Sequence, residues 1–163
     1  MMRALWTQMP ATFEGEFYRC VEAYCQPRPD PPILIKVGAR GPKALRVVAE
    51  LADWWNWDAP WSVYSQPHEV LRQHCAEMGR PFDEIKLTAE ATIWFPEKRE
   101  EFQPTFDHSY YPGEEFRYIG PTAEEAVRDL QEMIDHGVSH FQLFADAREL
   151  RIFADQVIPF LRG

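Results

Sequence analysis

Ile33-Leu34-Ile35-Lys36-Val37-Gly38-Ala39-Arg40-Gly41-Pro42-Lys43-Ala44-Leu45-Arg46-Val47-Val48-Ala49-Glu50-Leu51-Ala52 holds three signals in a fixed order. The β-branched run from Ile33 to Val37 predicts a strand, and Gly38 to Pro42 a loop. Apolar residues at 44, 45, 47, 48, 51 and 52 then return to one face of a helix. Pro42 suits the first helical turn, where a missing N–H would have had no intrahelical partner. Strand, glycine loop and helix make one β/α unit.

The same grammar continues in both directions from there. Asp53 to Trp57 reads as a short buried strand, and Ser65 is placed to cap a helix with the stripe Val70, Leu71, His74, Cys75 and Met78. Gly79-Arg80-Pro81 ends that helix. From Ile85 to Phe95 the odd positions are apolar while Lys86, Thr88, Glu90 and Thr92 alternate with them, so a strand is expected. Thr122 and Glu125 form a capping-box pattern ahead of the stripe Ala126, Val127, Leu130, Met133 and Ile134, and Gly137 closes that helix. Val138 to Phe144 reads as a fourth strand, and Leu150, Phe153, Ala154, Val157, Ile158 and Leu161 trace a last amphipathic helix. Four strands alternating with helices predict an α/β fold with parallel strands and right-handed crossovers. That grammar is shared by barrels and doubly wound sheets.

Composition narrows the partners. With 163 residues, a single domain over 1–163 is expected. A net charge of -9 argues against nucleic acid or an anionic membrane and for a small molecule or another protein. No stretch approaches the roughly 20 apolar residues of a membrane helix, and no signal-peptide pattern opens the chain, so a cytoplasmic location is expected. Cys20, Cys25 and Cys75 fit no metal or disulfide spacing and read as reduced structural thiols. His68 and His74 lie six apart, which does not align ligands on a helix face, so no metal site is expected. Neither a Gly-x-Ser-x-Gly elbow nor a Walker loop is present.

Several separated segments carry a family resemblance. Arg3-Ala4-Leu5-Trp6-Thr7 followed by Thr12 to Arg19 resembles the helix end and short hairpin that precede the fifth strand of luciferase-like monooxygenases. The similarity continues through Pro31-Pro32-Ile33, Val37 to Leu45 and Ala49 to Asp53, and resumes at Gly120 to Glu125 and Gly137 to Leu143. The resemblance implies a TIM-type barrel, flavin mononucleotide or a deazaflavin as cofactor, and hydride transfer or flavin-dependent monooxygenation. A complete (β/α)₈ barrel takes about 250 residues. The chain is expected to hold only the C-terminal half, a partial barrel of four parallel β/α units preceded by a short hairpin. Strands one to four, which supply much of the flavin ring pocket in that family, have no counterpart. Two open sheet edges and an apolar face left half exposed would then invite a homodimer or a separately encoded first half. Met1-Met2, inside what resembles a helix end, also suits a piece of a longer gene.

The candidate site follows from where barrel loops lie, at the C-terminal ends of the strands. Gly38, Ala39, Arg40, Gly41 and Pro42 resemble the family's glycine segment that meets the cofactor phosphate. Glycines permit close backbone approach, and the helix N-terminus behind them offers free N–H groups. The plainer reading of the same residues is a tight strand-to-helix turn. Glu90 and Thr92 on one strand, and His140 and Gln142 on another, are placed to line a pocket for substrate orientation or proton transfer, or else to stand as solvated polar residues. Trp54, Trp55, Trp57 and Trp61 read as core or interface anchors. The aromatic stretch between Pro96 and Pro121 reads as a flap or lid.

Overall fold

The structure, a computed structural model, describes residues 1–57, 61–101 and 118–162. The expected flap falls mostly outside the described residues. The chain divides into two compact units, Met1–Ile35 and Lys36–Gly163.

In the first unit, helix α1 (Met2–Thr7) leads into an antiparallel hairpin of β1 (Ala11–Glu14) and β2 (Arg19–Ala23). Gly15 begins the turn, its N–H donating to the Tyr18 carbonyl at 3.0 Å. A Cβ at Gly15 would come within 2.8 Å of the Phe13 ring and 3.2 Å of the Tyr18 carbonyl, so the tight turn favours glycine there. The hairpin leaves Phe17, Tyr18, Val21 and Tyr24 exposed.

The second unit is a parallel sheet covered by helices. β3 (Lys36–Gly38), β4 (Trp54–Trp57), β5 (Lys86–Ile93) and β6 (Tyr118–Ile119) follow in order, and β7 (Val138–Phe144) also pairs with β5. β7 occupies one edge of β5 from Leu87 to Thr92. β4 and β6 share the other edge in succession, β4 against Lys86 to Ala89 and β6 against Thr92 and Ile93. All of these pairings are parallel. α2 (Pro42–Leu51), α3 (Trp61–Met78), α4 (Ala123–Asp135) and α5 (Ala147–Gln156) alternate with the main strands as the sequence predicts.

Period two along β5 decides which face is covered. Leu87, Ala89, Ala91 and Ile93 are buried against the helices, in two clusters. The first joins Trp55, Trp57, Leu45, Val48, Tyr64, Leu71 and Met133, and the second Ile119, Leu130, Phe153 and Val157. Local signals close the helices. Gly79 and Gly137 take φ of +68° and +92° just past α3 and α4, the left-handed region that glycine enters without penalty. The Thr122 oxygen accepts the Glu125 N–H at 3.2 Å, and its hydroxyl donates to Glu125 Oε2 at 3.0 Å. Arg80 donates to the carbonyls of Ala49 (2.9 Å) and Ala52 (2.8 Å), satisfying acceptors that the end of α2 leaves open.

Three boundaries differ most from the sequence reading. The first strand is Lys36–Gly38 rather than Ile33–Val37, because its partner β4 begins only at Trp54, opposite Lys36. Ile33 and Leu34 are exposed. The helix expected after Ser65 begins at Trp61 and runs through Pro67, so Ser65 is interior rather than a cap. The last helix ends at Gln156, and its buried side is Glu149, Phe153 and Val157. Leu150 and Ile158 face outward.

Candidate functional site

The face of the sheet turned away from the two core clusters collects the polar residues. On β3, Val37 packs into the helix-side core and Lys36 and Gly38 alternate to the other side. On β4, Trp55 and Trp57 are buried while Trp54 and Asn56 alternate with them. Thr88, Glu90 and Thr92 do the same on β5. β7 would break this pattern by simple counting, because Val138 is buried with the core and even positions would follow it there. A β-bulge at Ser139 resets the alternation: Leu87 pairs with Val138, but Thr88 pairs with His140. Phe141 and Leu143 therefore pack against the core clusters, and His140, Gln142 and Phe144 fall on the open face.

This face is concave. Lys36 Nζ donates to Gln142 Oε1 at 3.0 Å, although β3 and β7 are separated by β4 and β5. On a flat sheet those strands would lie about 14 Å apart, so the bond fits the curl of a barrel wall better than a flat sheet. The Trp54 and His140 rings meet edge-on at 5.2 Å, from β4 and β7 on either side of β5. Contact between side chains of alternate strands is how a (β/α)₈ interior is layered.

The expected pocket residues Glu90, Thr92, His140 and Gln142 thus share one face, and Glu90 pairs with Gln142 in register. Lys36, Asn56 and Thr88 join them and were missed by sequence reasoning. Thr88 is buried, with its hydroxyl 2.7 Å from Asn56 Oδ1 and 3.0 Å from the Trp55 carbonyl. Asn56 Nδ2 donates to Glu90 Oε2 at 3.4 Å. The signal for Asn56 and Lys36 was available in the sequence: each is polar and lies between residues that belong in a core.

The loop Gly38 to Pro42 lies where β3 ends and α2 begins. Trp55 Nε1 donates to the Ala39 carbonyl at 2.7 Å, and the Arg40 guanidinium lies 5.8 Å from the Trp57 ring centroid. Gly41 is the N-cap with φ -73° and no side-chain cap. A Cβ there would meet nothing within 4 Å, and one at Gly38 would be 3.9 Å from the Asn56 carbonyl. The fold itself therefore does not demand glycine at either position.

A second set of polar groups stands at the start of α5. Asp146 caps the helix, accepting from the N–H groups of Arg148 (2.7 Å) and Glu149 (3.0 Å). A side-chain hydrogen bond with Glu149, then these backbone bonds, hold the Asp146 carboxyl below its usual range. Arg148 Nη1 ties the helix to the end of β5 through the Phe95 carbonyl at 2.7 Å. Elsewhere, burial raises the Tyr64 phenol and the Cys75 thiol above their ordinary values. The tryptophans divide: Trp55 and Trp57 are core, Trp61 stacks on His136 at 3.8 Å, and Trp54 stands on the concave face.

Residues 1–155 match the luciferase-like monooxygenase family. The chain belongs to that family. An F420-dependent glucose-6-phosphate dehydrogenase of Nakamurella multipartita is 27% identical over 198 residues, covering 100% of this chain and 58% of that enzyme. Among solved structures, an F420-dependent secondary alcohol dehydrogenase bound to an F420–acetone adduct superposes with a TM-score of 0.78 at 18% identity, over 99% of this chain and 59% of the other. The coenzyme F420-dependent tetrahydromethanopterin reductase of Methanopyrus kandleri gives 0.75 at 15% identity, over 99% and 61%. The chain thus spans less than two thirds of the length of these relatives. The fold is a partial barrel of the TIM type, as expected. No described helix is long and apolar enough to cross a membrane.

Proposed function

We propose that this chain is the C-terminal half-barrel of a cytoplasmic flavin- or deazaflavin-dependent oxidoreductase acting on a small molecule, and that it becomes catalytic when a second chain completes the barrel. The completing chain is a second copy or a separately encoded first half. The observation that carries this reading is the concave polar face, which in a closed barrel would be interior. Burying Lys36, Glu90, His140 and Gln142 there without ligand or water to satisfy them would be costly. Relatives that depend on F420 support the choice of cofactor class.

Gly38 to Pro42 suit the phosphate of either cofactor. The α2 N-terminus has no side-chain cap, Arg40 supplies a cation, and the missing Cβ at Gly41 leaves space that no described residue fills. Bound there, the cofactor supplies the hydride acceptor or donor. The chain's own residues then anchor its phosphate and line one wall of the substrate pocket with Glu90, Thr92, His140 and Gln142.

Light scattering and a fluorescence titration with F420 and with flavin mononucleotide test the reading together. The expected result is a dimer, or a complex with a first-half chain, that binds one of the two, with affinity lost in Gly41→Val. A monomer that binds neither, alone or with a first-half chain supplied, removes the enzyme reading and leaves a non-catalytic assembly module.

A further inference from the structure

Glu90 is the one carboxylate on the described concave face, and its hydrogen bonding is specified by Asn56 and, through it, Thr88. A carboxylate only accepts, so the Asn56 atom facing it at 3.4 Å is the amide nitrogen. The Asn56 oxygen is then turned toward Thr88, whose single hydroxyl proton takes the shorter contact at 2.7 Å and is shared with the Trp55 carbonyl at 3.0 Å. Thr88 is fully buried and held at its backbone on both sides by β4 and β7. The relay therefore runs from a rigid strand to Asn56, and from Asn56 to one oxygen of Glu90. Beside Glu90, Gln142 has its oxygen engaged by Lys36, and its amide nitrogen has no partner among the described residues.

We propose that Glu90 receives a hydrogen-bond donor of the bound small molecule, a hydroxyl or a protonated amine, and that Asn56 and Thr88 are positioning residues that aim it. The proposal rests on the concave face being the substrate wall. Among the described residues, one Glu90 oxygen is committed to Asn56 and the other is left to accept, while the Gln142 amide beside it is left to donate. An acceptor next to a donor matches a group that both gives and receives a hydrogen bond, and the match is closest for a hydroxyl.

The test uses the chain with carbon-13 at its glutamate carboxyls, the Glu90 signal being assigned by its loss in Glu90→Gln. Glycerol, methylammonium and the acceptor-only dimethyl sulfoxide are titrated separately. A saturable shift with glycerol alone assigns a hydroxyl, and with methylammonium alone an amine; a shift with both supports the shared chemistry. Asn56→Leu is expected to weaken the response about fivefold, the loss of one hydrogen bond. Thr88→Val weakens it in the same sense and Thr88→Ser restores it, which a merely structural role would not do. Should Asn56→Leu fail to fold, the smaller Asn56→Ser carries the comparison. No shift with either donor, an equal shift with dimethyl sulfoxide, or full binding in the folded Asn56 variant overturns the proposal. None of these readouts involves cofactor, so failure here is distinct from failure of the cofactor titration.

Discussion

The two faces of the sheet obey opposite rules. Toward the helices, Trp55, Leu87, Ala89, Ala91, Ile93 and Val138 are sealed from water and their contacts are almost all apolar. On the concave side, Lys36, Trp54, Asn56, Glu90, His140 and Gln142 are half-buried or exposed, and they meet one another through hydrogen bonds and a ring edge. One face supplies the free energy of folding, and the other is held in place by it. Residues adjacent in sequence, such as Trp54 and Trp55, therefore have different consequences when removed.

The largest effect tests that pair directly. Trp55→Ala is expected to cost about 3–5 kcal/mol in chemical denaturation, through a large core cavity. It also frees the Ala39 carbonyl that holds the glycine loop. Trp54→Ala gives up an aromatic edge contact worth roughly 0.5–1.5 kcal/mol and leaves no sealed cavity. Equal losses would break the division of labour between the faces. Arg80→Ala comes next, because it strips charged donors from the Ala49 and Ala52 carbonyls beneath the helix-covered side. A cost of about 1.5–3 kcal/mol is expected from the denaturation midpoint. Thr122→Ala should cost about 1 kcal/mol by removing the α4 cap, leaving the concave face and any cofactor affinity as they were.

The covered face was legible in the sequence because burial writes a period. Ile85 to Phe95 alternates cleanly, and the stripe of α4 and its capping residues appear where the helix does. The concave face was only partly legible. Glu90 and Thr92 stand out as polar residues in an apolar run. His140 and Gln142 reach the same face only through the bulge at Ser139, which no period reports. Asn56 gave a signal, a polar residue between core tryptophans, but their bulk drew the reading toward packing. The start of β3 was misplaced for a different reason: Ile33 to Ile35 have strand composition, but pairing begins only where β4 does, and that depends on another segment. Leu150 and Ile158 were assigned to the core for their apolarity, and the structure leaves both exposed. Val47 and Leu51 on α2 are exposed as well, so apolarity alone does not report which side of a helix is buried.

The smallest effect concerns a histidine on the helix side. His68 lies edge-on to Trp61 at 5.3 Å and Phe82 at 5.0 Å. Its pKa is lowered from 6.5, first by burial and then by the Arg72 guanidinium, with His136 adding to the effect and Glu69 opposing it. Because the folded value lies below the unfolded one, the unfolded chain binds more protons in the interval between them, so stability rises with pH across it. The contribution is complete above about 6.5, the ordinary histidine value, and is lost as pH falls through the interval. His68→Gln removes that dependence, so denaturation midpoints of the two proteins should converge as pH drops from neutral toward the folded pKa. Carboxylates that titrate lower are common to both proteins and cancel in the difference. A constant gap between the midpoints would mean that His68 is protonated as readily in the fold as outside it. The ring would then sit in water rather than against Trp61 and Phe82, and the boundary of the sealed face would have to be redrawn short of α3.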